Sequence, residues 1–421
     1  MKTAGIIAEY NPFHKGHEYQ FKRIREDFGA DWIIAAISGD FVQRGEPAVF
    51  DKYTRTSMAL SCGADLVVEL PVSFATGSAE DFASCGVSLF DHLGIIDLLC
   101  FGSEAGDLES LNKIAELLAN EPENYKLALK ASLKKGLSFP AARENALKET
   151  LSLPDTSPLS TPNNILGVEY LKALKKRKSS IKPVTIKRFG QGYHDTEIPE
   201  GQSFASASFL RKYLRDHLET FSENELLDSG LASQIPVPAL KALSQENALK
   251  GPVFPEDLTL PLQYRLLQAK ACQEDLCQYA DMSPELADRL SPFILSPTDF
   301  SRRIEQLKTK QYTYTRISRA LLHLILGITK EEVSSQKQAD YVSYVRILGF
   351  RQSAAPLLNI LKKQSCLPLI TKTANSKKIL SPQKELWFQK DLAASHFYQA
   401  LAFQKGRTMK NEYTKSVIIL P

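Results

Sequence analysis

The first half of the chain alternates short apolar runs with longer amphipathic stretches. The apolar runs predict strands buried on both faces, because they are nearly continuous rather than alternating. The amphipathic stretches predict helices that cover such a sheet, and this order is typical of an α/β fold with a doubly wound parallel sheet. The predicted strands are residues 4–9, 32–38, 65–70, 96–101 and 183–188, and the predicted helices are residues 16–28, 52–62, 79–93, 108–118 and 164–175.

The chain is long enough for two domains. It has 421 residues, whereas one compact core seldom exceeds about 250–300 residues. Residues 121–180 predict an all-helical insertion between the fourth and fifth strands, with a loop rich in Ser, Thr and Pro at 153–162. The strand signal fades after residue 203, where helical stretches are broken by prolines. We therefore predict an α/β domain over residues 1–215 and a second, mostly helical domain over residues 216–421.

Composition and the spacing of apolar residues and cysteines argue against a membrane-spanning protein, a protein with a targeting signal and a zinc protein. Apolar residues make up 43% and charged residues 24%, as in ordinary globular proteins. No apolar run approaches the roughly 20 residues that span a membrane, and Met1 leads directly into a strand pattern without a targeting signal, so a cytoplasmic location is expected. Among the six cysteines only Cys272 and Cys277 are close. They lack the further ligands of a zinc site, so no metal site is predicted.

The candidate chemistry lies in the loop that follows the first strand. Ligands of open parallel sheets gather where strand ends meet helix N-termini, and this loop contains His14, Gly16 and His17. The two histidines can direct N–H donors at one polyphosphate and stabilise the charge that develops as pyrophosphate leaves. Gly16 leaves room for an adenine or ribose against the backbone. The alternative, two surface histidines without a role, fits poorly with a strand before them and a helix after them.

Residues 11–17, Asn-Pro-Phe-His-Lys-Gly-His, resemble the HxGH motif of the nucleotidylyltransferase superfamily. Members of that superfamily share a doubly wound sheet and attack the α-phosphate of a nucleoside triphosphate. Their second signature is a Ser/Thr-rich turn before an arginine that grips the triphosphate. Residues 206–211, Ser-Ala-Ser-Phe-Leu-Arg, are similar, but Ala205 and Ala207 depart from the usual Ile and Ser. An ordinary helix start capped by Ser206 or Ser208 fits the segment equally well, so both interpretations stay open.

Three longer blocks resemble one family of that superfamily, the bacterial tRNA(Met) cytidine acetate ligases. The blocks are residues 8–14 (AEYNPFH), 38–47 (SGDFVQRGEP) and 162–170 (PNNILGVEY). The resemblance covers the first domain and continues more loosely to the end of the chain. It implies an enzyme that makes acetyl-adenylate from ATP and acetate and passes the acetyl group to the wobble cytidine of elongator methionine tRNA. The first domain would bind ATP and catalyse, and the second would bind tRNA.

The resemblance also assigns residues to the site. His14 and His17 would be catalytic, acting on the phosphates of ATP together with Mg²⁺. Asp40, Gln43 and Arg44 would shape the pocket for the acyl group or the base. For Arg188 the alternative is a solvated strand end. The nucleotide contacts would be Ile7, Ala8, Glu9, Tyr10, Asn11, Pro12, Phe13, His14, Lys15, Gly16, His17, Glu18, Tyr19, Gln20, Gly102, Asn163 and Arg188.

Basic residues cluster in three places where RNA phosphates could bind. Two of the clusters lie within residues 172–188 and 362–378. The third is interleaved with Tyr312 and Tyr314, which could stack on unpaired bases. For any such run the alternative is a solvated helix face. The residues predicted to bind RNA in the third cluster are Arg302, Arg303, Lys308, Lys310, Arg316 and Arg319.

Two other functions also fit parts of the sequence. A small-molecule adenylyltransferase would use the first loop, but it would leave the basic helical domain without a role. A non-catalytic RNA-binding factor on the same fold would use the basic clusters, but it would not need an intact His14, Gly16 and His17.

Overall fold

A mostly parallel sheet forms the centre of the computed structural model, which describes residues 1–151, 161–188, 204–217, 230–246 and 248–421. The strands are β1 (Thr3–Ala8), β2 (Trp32–Ser38), β3 (Phe41–Val42), β4 (Glu46–Pro47), β5 (Leu66–Leu70), β6 (Leu98–Ser103), β7 (Lys182–Lys187), β8 (Val345–Arg351), β9 (Leu369–Ile370) and β10 (Ile418–Leu420). The main sheet has the order β10-β8-β5-β2-β1-β6-β7, with β9 paired to β8, whereas β3 and β4 form a separate antiparallel hairpin. Within the main sheet only β5 and β8 pair antiparallel in the described residues.

Helices surround this sheet and make up most of the region after it. The helices are α1 (Lys15–Phe28), α2 (Lys52–Ser61), α3 (Val72–Ala75), α4 (Ala79–Leu93), α5 (Leu108–Asn120), α6 (Glu123–Lys134), α7 (Phe139–Leu151), α8 (Pro162–Arg177), α9 (Ala207–His217), α10 (Gly230–Gln234), α11 (Val237–Gln245), α12 (Thr259–Ala271), α13 (Pro284–Leu290), α14 (Phe300–Leu307), α15 (Tyr314–Leu326), α16 (Lys330–Gln338), α17 (Ala355–Gln364), α18 (Ser376–Ile379) and α19 (Pro382–Gln404). None of the helices within the described ranges has the length and apolar character that crossing a membrane requires.

The sheet is buried on both faces because its strands send apolar side chains to either side. Ile6 and Ile33 join the core beneath α1 and α2, whereas Ile7 and Ile34 join the core beneath α4, α5 and α8. A third core lies among the helices that follow residue 250. This alternation explains why the strands appear in the sequence as nearly continuous apolar runs.

The predicted fold class is confirmed, with one difference in the second half of the chain. The five predicted strands correspond to β1, β2, β5, β6 and β7, and the insertion is helical where the structure describes it. Most of the predicted loop at 153–162 lies outside the described residues. Residues beyond the predicted boundary at 215, which falls inside α9, return to the sheet as β8, β9 and β10. The sequence pattern missed these strands because β9 and β10 are very short and β8 contains a buried arginine, Arg346.

Candidate active site

The topological switch point of the sheet lies between β1 and β6. The chain leaves β1 for β2 and β5 on one side and later returns to β6 and β7 on the other side. The loops that leave β1 and β6 therefore diverge and open a crevice, which is where open α/β sheets bind their ligands. We call residues 9–14 loop 1 and residues 104–107 loop 6.

His14 and His17 stack on each other where loop 1 enters α1. Their ring centroids are 3.8 Å apart, with 30° between the ring planes. His14 Nδ1 accepts a hydrogen bond from the backbone N–H of Gly16 at 3.0 Å, and His17 Nδ1 accepts one from the backbone N–H of His14 at 3.2 Å. A neutral imidazole that accepts at Nδ1 carries its proton on Nε2. Both rings therefore keep an Nε2–H donor for an anionic ligand.

Burial and neighbouring positive charge keep these imidazoles neutral. Burial and the charges of Arg188 and Arg211 lower the pKa of His14 to about 3. Burial, His14 and Arg188 lower the pKa of His17 well below its ordinary value. The two arginines that disfavour imidazolium also create a positive field, and that field suits a polyphosphate.

The pH dependence of folding stability should reveal the neutral His14. An unfolded histidine gains a proton near pH 6.5, whereas native His14 does so at about pH 3. The stability that neutral His14 contributes is therefore complete above pH 6.5 and is lost as the pH falls toward 3. Urea denaturation should show a steeper loss of unfolding free energy from pH 6.5 to 4.5 in the wild-type protein than in His14→Asn. Equal slopes would contradict a neutral, buried His14.

Gly16 makes room for the His14 ring. A Cβ atom on Gly16 would lie 2.8 Å from Cε1 and 3.0 Å from Nδ1 of His14. The space that the sequence interpretation left for an adenine or ribose is thus occupied by the imidazole. The glycine is needed so that His14 can cap the helix that it precedes.

Two aromatic side chains of loop 1 pack against the ring of His17. The ring centroids of Tyr10 and Phe13 lie 4.9 Å and 5.3 Å from that of His17. Tyr10 and Phe13 are 1% and 0% exposed, so they are core residues rather than surface contacts. Asn11 Oδ1 accepts a hydrogen bond from the backbone N–H of Val49 at 2.8 Å, which fixes the loop ahead of the buried Pro12.

The other residues between 7 and 20 are placed in different surroundings. Ile7 is part of the core on the face covered by α4, and Ala8 ends β1. Gln20 directs its amide at a carbonyl of β6, at 3.5 Å. The side chains of Lys15, Glu18 and Tyr19 are half-buried at the start of α1. The structure thus brings together His14, Gly16 and His17 at the crevice, but not every residue of the predicted nucleotide-binding stretch.

Arg211 reaches loop 1 from α9. Its Nη1 donates to the carbonyl of Asn11 at 2.7 Å, and its Nη2 donates to Ser208 Oγ at 3.3 Å. Ser206 Oγ accepts a backbone hydrogen bond from the first turn of α9 at 3.2 Å, so it caps this helix. The interpretation of residues 206–211 as a capped helix start is therefore confirmed, and the contact of Arg211 with a triphosphate stays a prediction.

Gly102, Asn163 and Arg188 meet at the carboxyl ends of β6 and β7. A Cβ atom on Gly102 would lie 3.2 Å from Arg188 Cγ, and the backbone N–H of Arg188 donates to the carbonyl of Ser103 at 2.9 Å. Asn163 Nδ2 donates to Glu104 Oε1 at 2.6 Å. Gly102 and Arg188 are therefore packed together, Asn163 is bonded to the loop that follows β6, and a contact of any of the three with a nucleotide stays a prediction.

Asp40 lies in the interior rather than at the crevice where it was predicted. Its Oδ1 accepts a hydrogen bond from the backbone N–H of Lys52 at 2.7 Å, and its Oδ2 accepts one from the Ser395 hydroxyl. The residue is 4% exposed, and burial raises the pKa of its carboxyl group to about 6. Because both oxygens already have donors, Asp40 supports the fold around the site.

Gln43 and Arg44 occupy the turn between β3 and β4, where both are half-buried. The backbone N–H of Gln43 donates to Glu9 Oε1 at 3.0 Å. Gly45 has a φ of 77°, and a side chain there would collide with the backbone of α15. The Ser318 hydroxyl donates to the carbonyl of Gly45 at 2.9 Å. The hairpin is therefore held between loop 1 and the helical region.

Arg55 on α2 ties together the ends of β1 and β2, and the sequence analysis missed it. Its Nη1 donates to the carbonyls of Glu9 and Ser38 at 2.7 Å and 3.0 Å. Its Nε donates to the carbonyl of Phe50 at 2.9 Å, and its Nη2 donates to that of Gly39. The side chain is fully buried. No signal in a single sequence distinguishes this arginine from one on a solvated helix face.

A buried ion cluster joins the end of the chain to the first domain. Lys52 Nζ lies 2.9 Å from Glu69 Oε1 and 3.1 Å from Glu412 Oε2. Lys52 and Glu412 are fully buried, and the Ser395 Oγ lies 3.0 Å from Glu412 Oε1. The predicted division at residue 215 therefore separates side chains that share one interior cluster.

The predicted RNA-binding cluster contains both structural and exposed residues. Arg303 is 1% exposed and donates to the carbonyl of Ser296. Arg319 pairs with Asp281 at 2.9 Å, and Tyr312 is buried, so it offers no face to a base. Arg302, Lys308 and Lys310 are exposed, and Arg316 is half-buried.

The run at 172–188 is also partly structural. Lys172 is 7% exposed and lies 2.9 Å from Glu80 and 3.1 Å from Glu169. Arg177 pairs with Asp91 at 2.6 Å.

Within the described ranges, no group of three or more His, Cys, Asp and Glu side chains is arranged to hold a metal ion.

Comparisons with known proteins agree with this geometry. A family model described as HIGH Nucleotidyl Transferase matches residues 1–413. The tRNA(Met) cytidine acetate ligase of Acetivibrio thermocellus is 40% identical, with 100% of both chains covered. The protein of the same name from Thermoanaerobacter sp. is 43% identical, with 96% of both chains covered. The chain belongs to the tRNA(Met) cytidine acetate ligase family.

Solved structures extend the agreement to the fold. A crystal structure of Thermotoga maritima TmcAL bound with alpha-thio ATP superposes on the whole of this chain with a TM-score of 0.87 at 31% identity. The apo form of that protein gives a TM-score of 0.89, also at 31% identity and with 100% of both chains covered. Membership of the tRNA(Met) cytidine acetate ligase family, predicted from three sequence blocks, is thus confirmed over the full length of the chain.

Proposed function

We propose that this protein uses ATP to activate acetate as acetyl-adenylate and then acetylates the wobble cytidine of elongator methionine tRNA. The stacked pair His14 and His17, with two Nε2–H donors at the switch point, is the observation that carries the proposal. Full-length similarity to proteins named tRNA(Met) cytidine acetate ligase supports the choice of substrates. A tRNA substrate would place the reaction in the cytoplasm.

In the first step, an acetate oxygen would attack the α-phosphorus of ATP as the bond from that phosphorus to pyrophosphate breaks. Negative charge grows on the departing oxygens, and His14 and His17 would donate to them from Nε2. Arg211 would add positive charge from the α9 side. Mg²⁺, when bound, would neutralise phosphate charge.

In the second step, the exocyclic amine of cytidine would attack the acetyl carbonyl carbon. The new C–N bond forms, the bond from that carbon to the phosphate oxygen breaks, and AMP leaves as the amine gives up a proton. No nucleophile from the protein is required. Holding the two reactants in place can supply about 7–11 kcal/mol of the barrier, so the main task of the protein is to position the tRNA.

Exchange of labelled pyrophosphate into ATP tests the first step. We expect exchange that depends on acetate, because the α-phosphate is attacked only by the bound carboxylate. An exchange rate that is the same with and without acetate would contradict the proposal and favour a small-molecule adenylyltransferase. Binding of tRNA without any exchange would favour a non-catalytic RNA-binding factor.

The exposed part of the basic cluster provides a separate prediction. Reversing the charges of Arg302, Lys308 and Lys310 to Glu should weaken tRNA binding in a filter assay. It should also flatten the dependence of log K on log salt by roughly 0.7–0.9 per lost phosphate contact. Acetate-dependent exchange should remain, since these side chains lie outside the crevice. As a control, Lys113→Glu on α5 should leave the salt dependence unchanged, and an equal effect there would refute a localised RNA surface.

A further inference from the structure

Glu104, which the family resemblance leaves without a role, sits at the centre of the hydrogen bonds between loop 6 and α8. Its Oε1 accepts from Asn163 Nδ2 at 2.6 Å and from the backbone N–H of Asn163 at 3.4 Å. Its Oε2 accepts from the backbone N–H of Asn164 at 2.9 Å and from the Thr161 hydroxyl at 3.0 Å. In return, Asn164 Oδ1 accepts from the backbone N–H of Ala105 at 3.1 Å. Loop 6 and the first turn of α8 are therefore fixed to each other.

These contacts determine which end of the Asn163 amide remains for a ligand. A carboxylate only accepts hydrogen bonds, so the amide atom next to Glu104 must be the nitrogen. The carbonyl oxygen Oδ1 is then turned away from Glu104. Within the described ranges, no hydrogen bond engages this oxygen, and the residue is half-buried beside the crevice. Asn163 therefore presents an acceptor.

Charge also separates the two ends of the crevice. Arg211 lies at the histidine end, and its charge contributes to the low pKa of His14. At the other end, Glu104 places a carboxylate at the N-terminus of α8, where it offsets the positive end of the helix dipole. Glu104 also offsets the charge of Arg188, with which it interacts, so a triphosphate is attracted more strongly to the histidine end. The nucleoside, which carries neutral hydrogen-bond donors, fits at the Glu104 end.

We propose that Glu104 is a positioning residue that orients the amide of Asn163, so that Oδ1 accepts a hydrogen bond from a donor group of the bound nucleoside. This inference rests on the proposed function, because it assumes that ATP occupies the switch-point crevice. Two groups of ATP have the required chemistry, the 6-amino group of adenine and the hydroxyls of ribose. Asn163 makes the contact, and Glu104 acts through it.

Equilibrium binding of nucleotides, measured by calorimetry without acetate, tests this proposal. Inosine triphosphate lacks the 6-amino donor, and 2′-deoxy-ATP and 3′-deoxy-ATP each lack one ribose donor. We expect wild-type protein to bind ATP about tenfold more tightly than the analogue that lacks the relevant donor, as for loss of one hydrogen bond. Glu104→Gln should lose most of that preference, since a Gln amide can pair with either end of the Asn163 amide and no longer fixes which end faces the ligand. Because no acetate is present, failure of the acetate step would leave this measurement intact.

The control is Asp107→Asn, which alters another carboxylate of loop 6. Asp107 caps α5 by accepting from the backbone N–H of Glu109 at 3.0 Å and makes no hydrogen bond to Asn163 in the described structure. This variant should keep the wild-type preference. In a double-mutant cycle, Glu104→Gln should add nothing to the preference already lost in Asn163→Ala.

Several results would overturn the proposal. One is a wild-type protein that binds ATP and all three analogues equally well. Another is a Glu104→Gln variant that keeps the full preference, or losses from Glu104→Gln and Asn163→Ala that add independently. If Glu104→Gln fails to fold, Asn163→Ala decides alone, and retention of the preference in that variant would refute the assignment.

Discussion

Replacing His14 with asparagine should lower the rate of acetate-dependent pyrophosphate exchange by about 100- to 1,000-fold, the usual effect of losing one donor to developing charge. Asparagine can still accept the Gly16 N–H that His14 Nδ1 accepts at 3.0 Å, so the cap of α1 survives. What is lost is the Nε2–H donor, which the shorter side chain cannot replace. The loss should appear in the rate rather than in the melting temperature.

The matched control for that substitution is His92→Asn. His92 lies in the last turn of α4, where its Nε2 contacts Asp340 at 2.9 Å, away from the crevice. Its replacement should leave the exchange rate within about twofold of wild type, because His92 touches no residue of loop 1 or loop 6 in the described structure. A His14→Asn protein that exchanges at the wild-type rate would contradict the proposed role of His14 as a hydrogen-bond donor to the departing pyrophosphate.

Replacing Lys52 with methionine should reduce the free energy of unfolding by about 3–5 kcal/mol, since it leaves buried carboxylates without their cation. Lys52 Nζ lies 2.9 Å from Glu69 and 3.1 Å from Glu412, and none of the three has appreciable access to solvent. The substitution should therefore weaken the attachment of the C-terminal segment to the first domain. Urea denaturation followed by circular dichroism measures this loss.

Lys113→Met provides the comparison for this prediction. Lys113 also pairs with a glutamate, Glu109, at 2.8 Å, but both side chains are largely exposed. Its loss should leave the free energy of unfolding close to the wild-type value, because an exposed pair contributes little. Similar losses for the two variants would mean that the Lys52 cluster does not hold the fold together.

The parts of the fold that follow from local pattern were predictable from the sequence. Strands buried on both faces leave continuous apolar runs, and β1, β2, β5, β6 and β7 all do so. β8 joins the same sheet from a distant part of the chain, and its pairing with β5 depends on contacts that no local pattern encodes. Arg346 within β8 further hides the strand, because a buried arginine looks polar in a sequence.

The residues of the candidate site could likewise be predicted only where their spacing in the sequence indicated their chemistry. His14, Gly16 and His17 could be predicted because they lie within four consecutive residues where loop 1 enters α1, so local spacing indicates the chemistry. Arg55 and Glu104 were missed because their partners lie on other elements: backbone carbonyls for Arg55, and side-chain and backbone groups at the start of α8 for Glu104. Their importance depends on tertiary contacts, which residue type does not reveal.

Asp40 and Arg303 were predicted to contact a substrate or RNA, but the structure places both in the interior. Asp40 was predicted to shape the substrate pocket and Arg303 to bind RNA, but each is buried and hydrogen-bonded within the protein. Charged residues are seldom fully buried, so a surface position was the reasonable expectation. Asp40 belongs to the buried polar cluster around Lys52, which joins segments far apart in the chain, whereas Arg303 is buried among the helices that follow residue 250.

The most direct test of the proposed function is mass analysis of the anticodon fragment of elongator methionine tRNA after incubation with the protein, ATP and isotope-labelled acetate. We predict one labelled acetyl group on the wobble cytidine, present only when both ATP and acetate are supplied and strongly reduced with His14→Asn. A tRNA that stays unmodified while acetate-dependent exchange proceeds normally would contradict cytidine in this tRNA as the acceptor of the acetyl group.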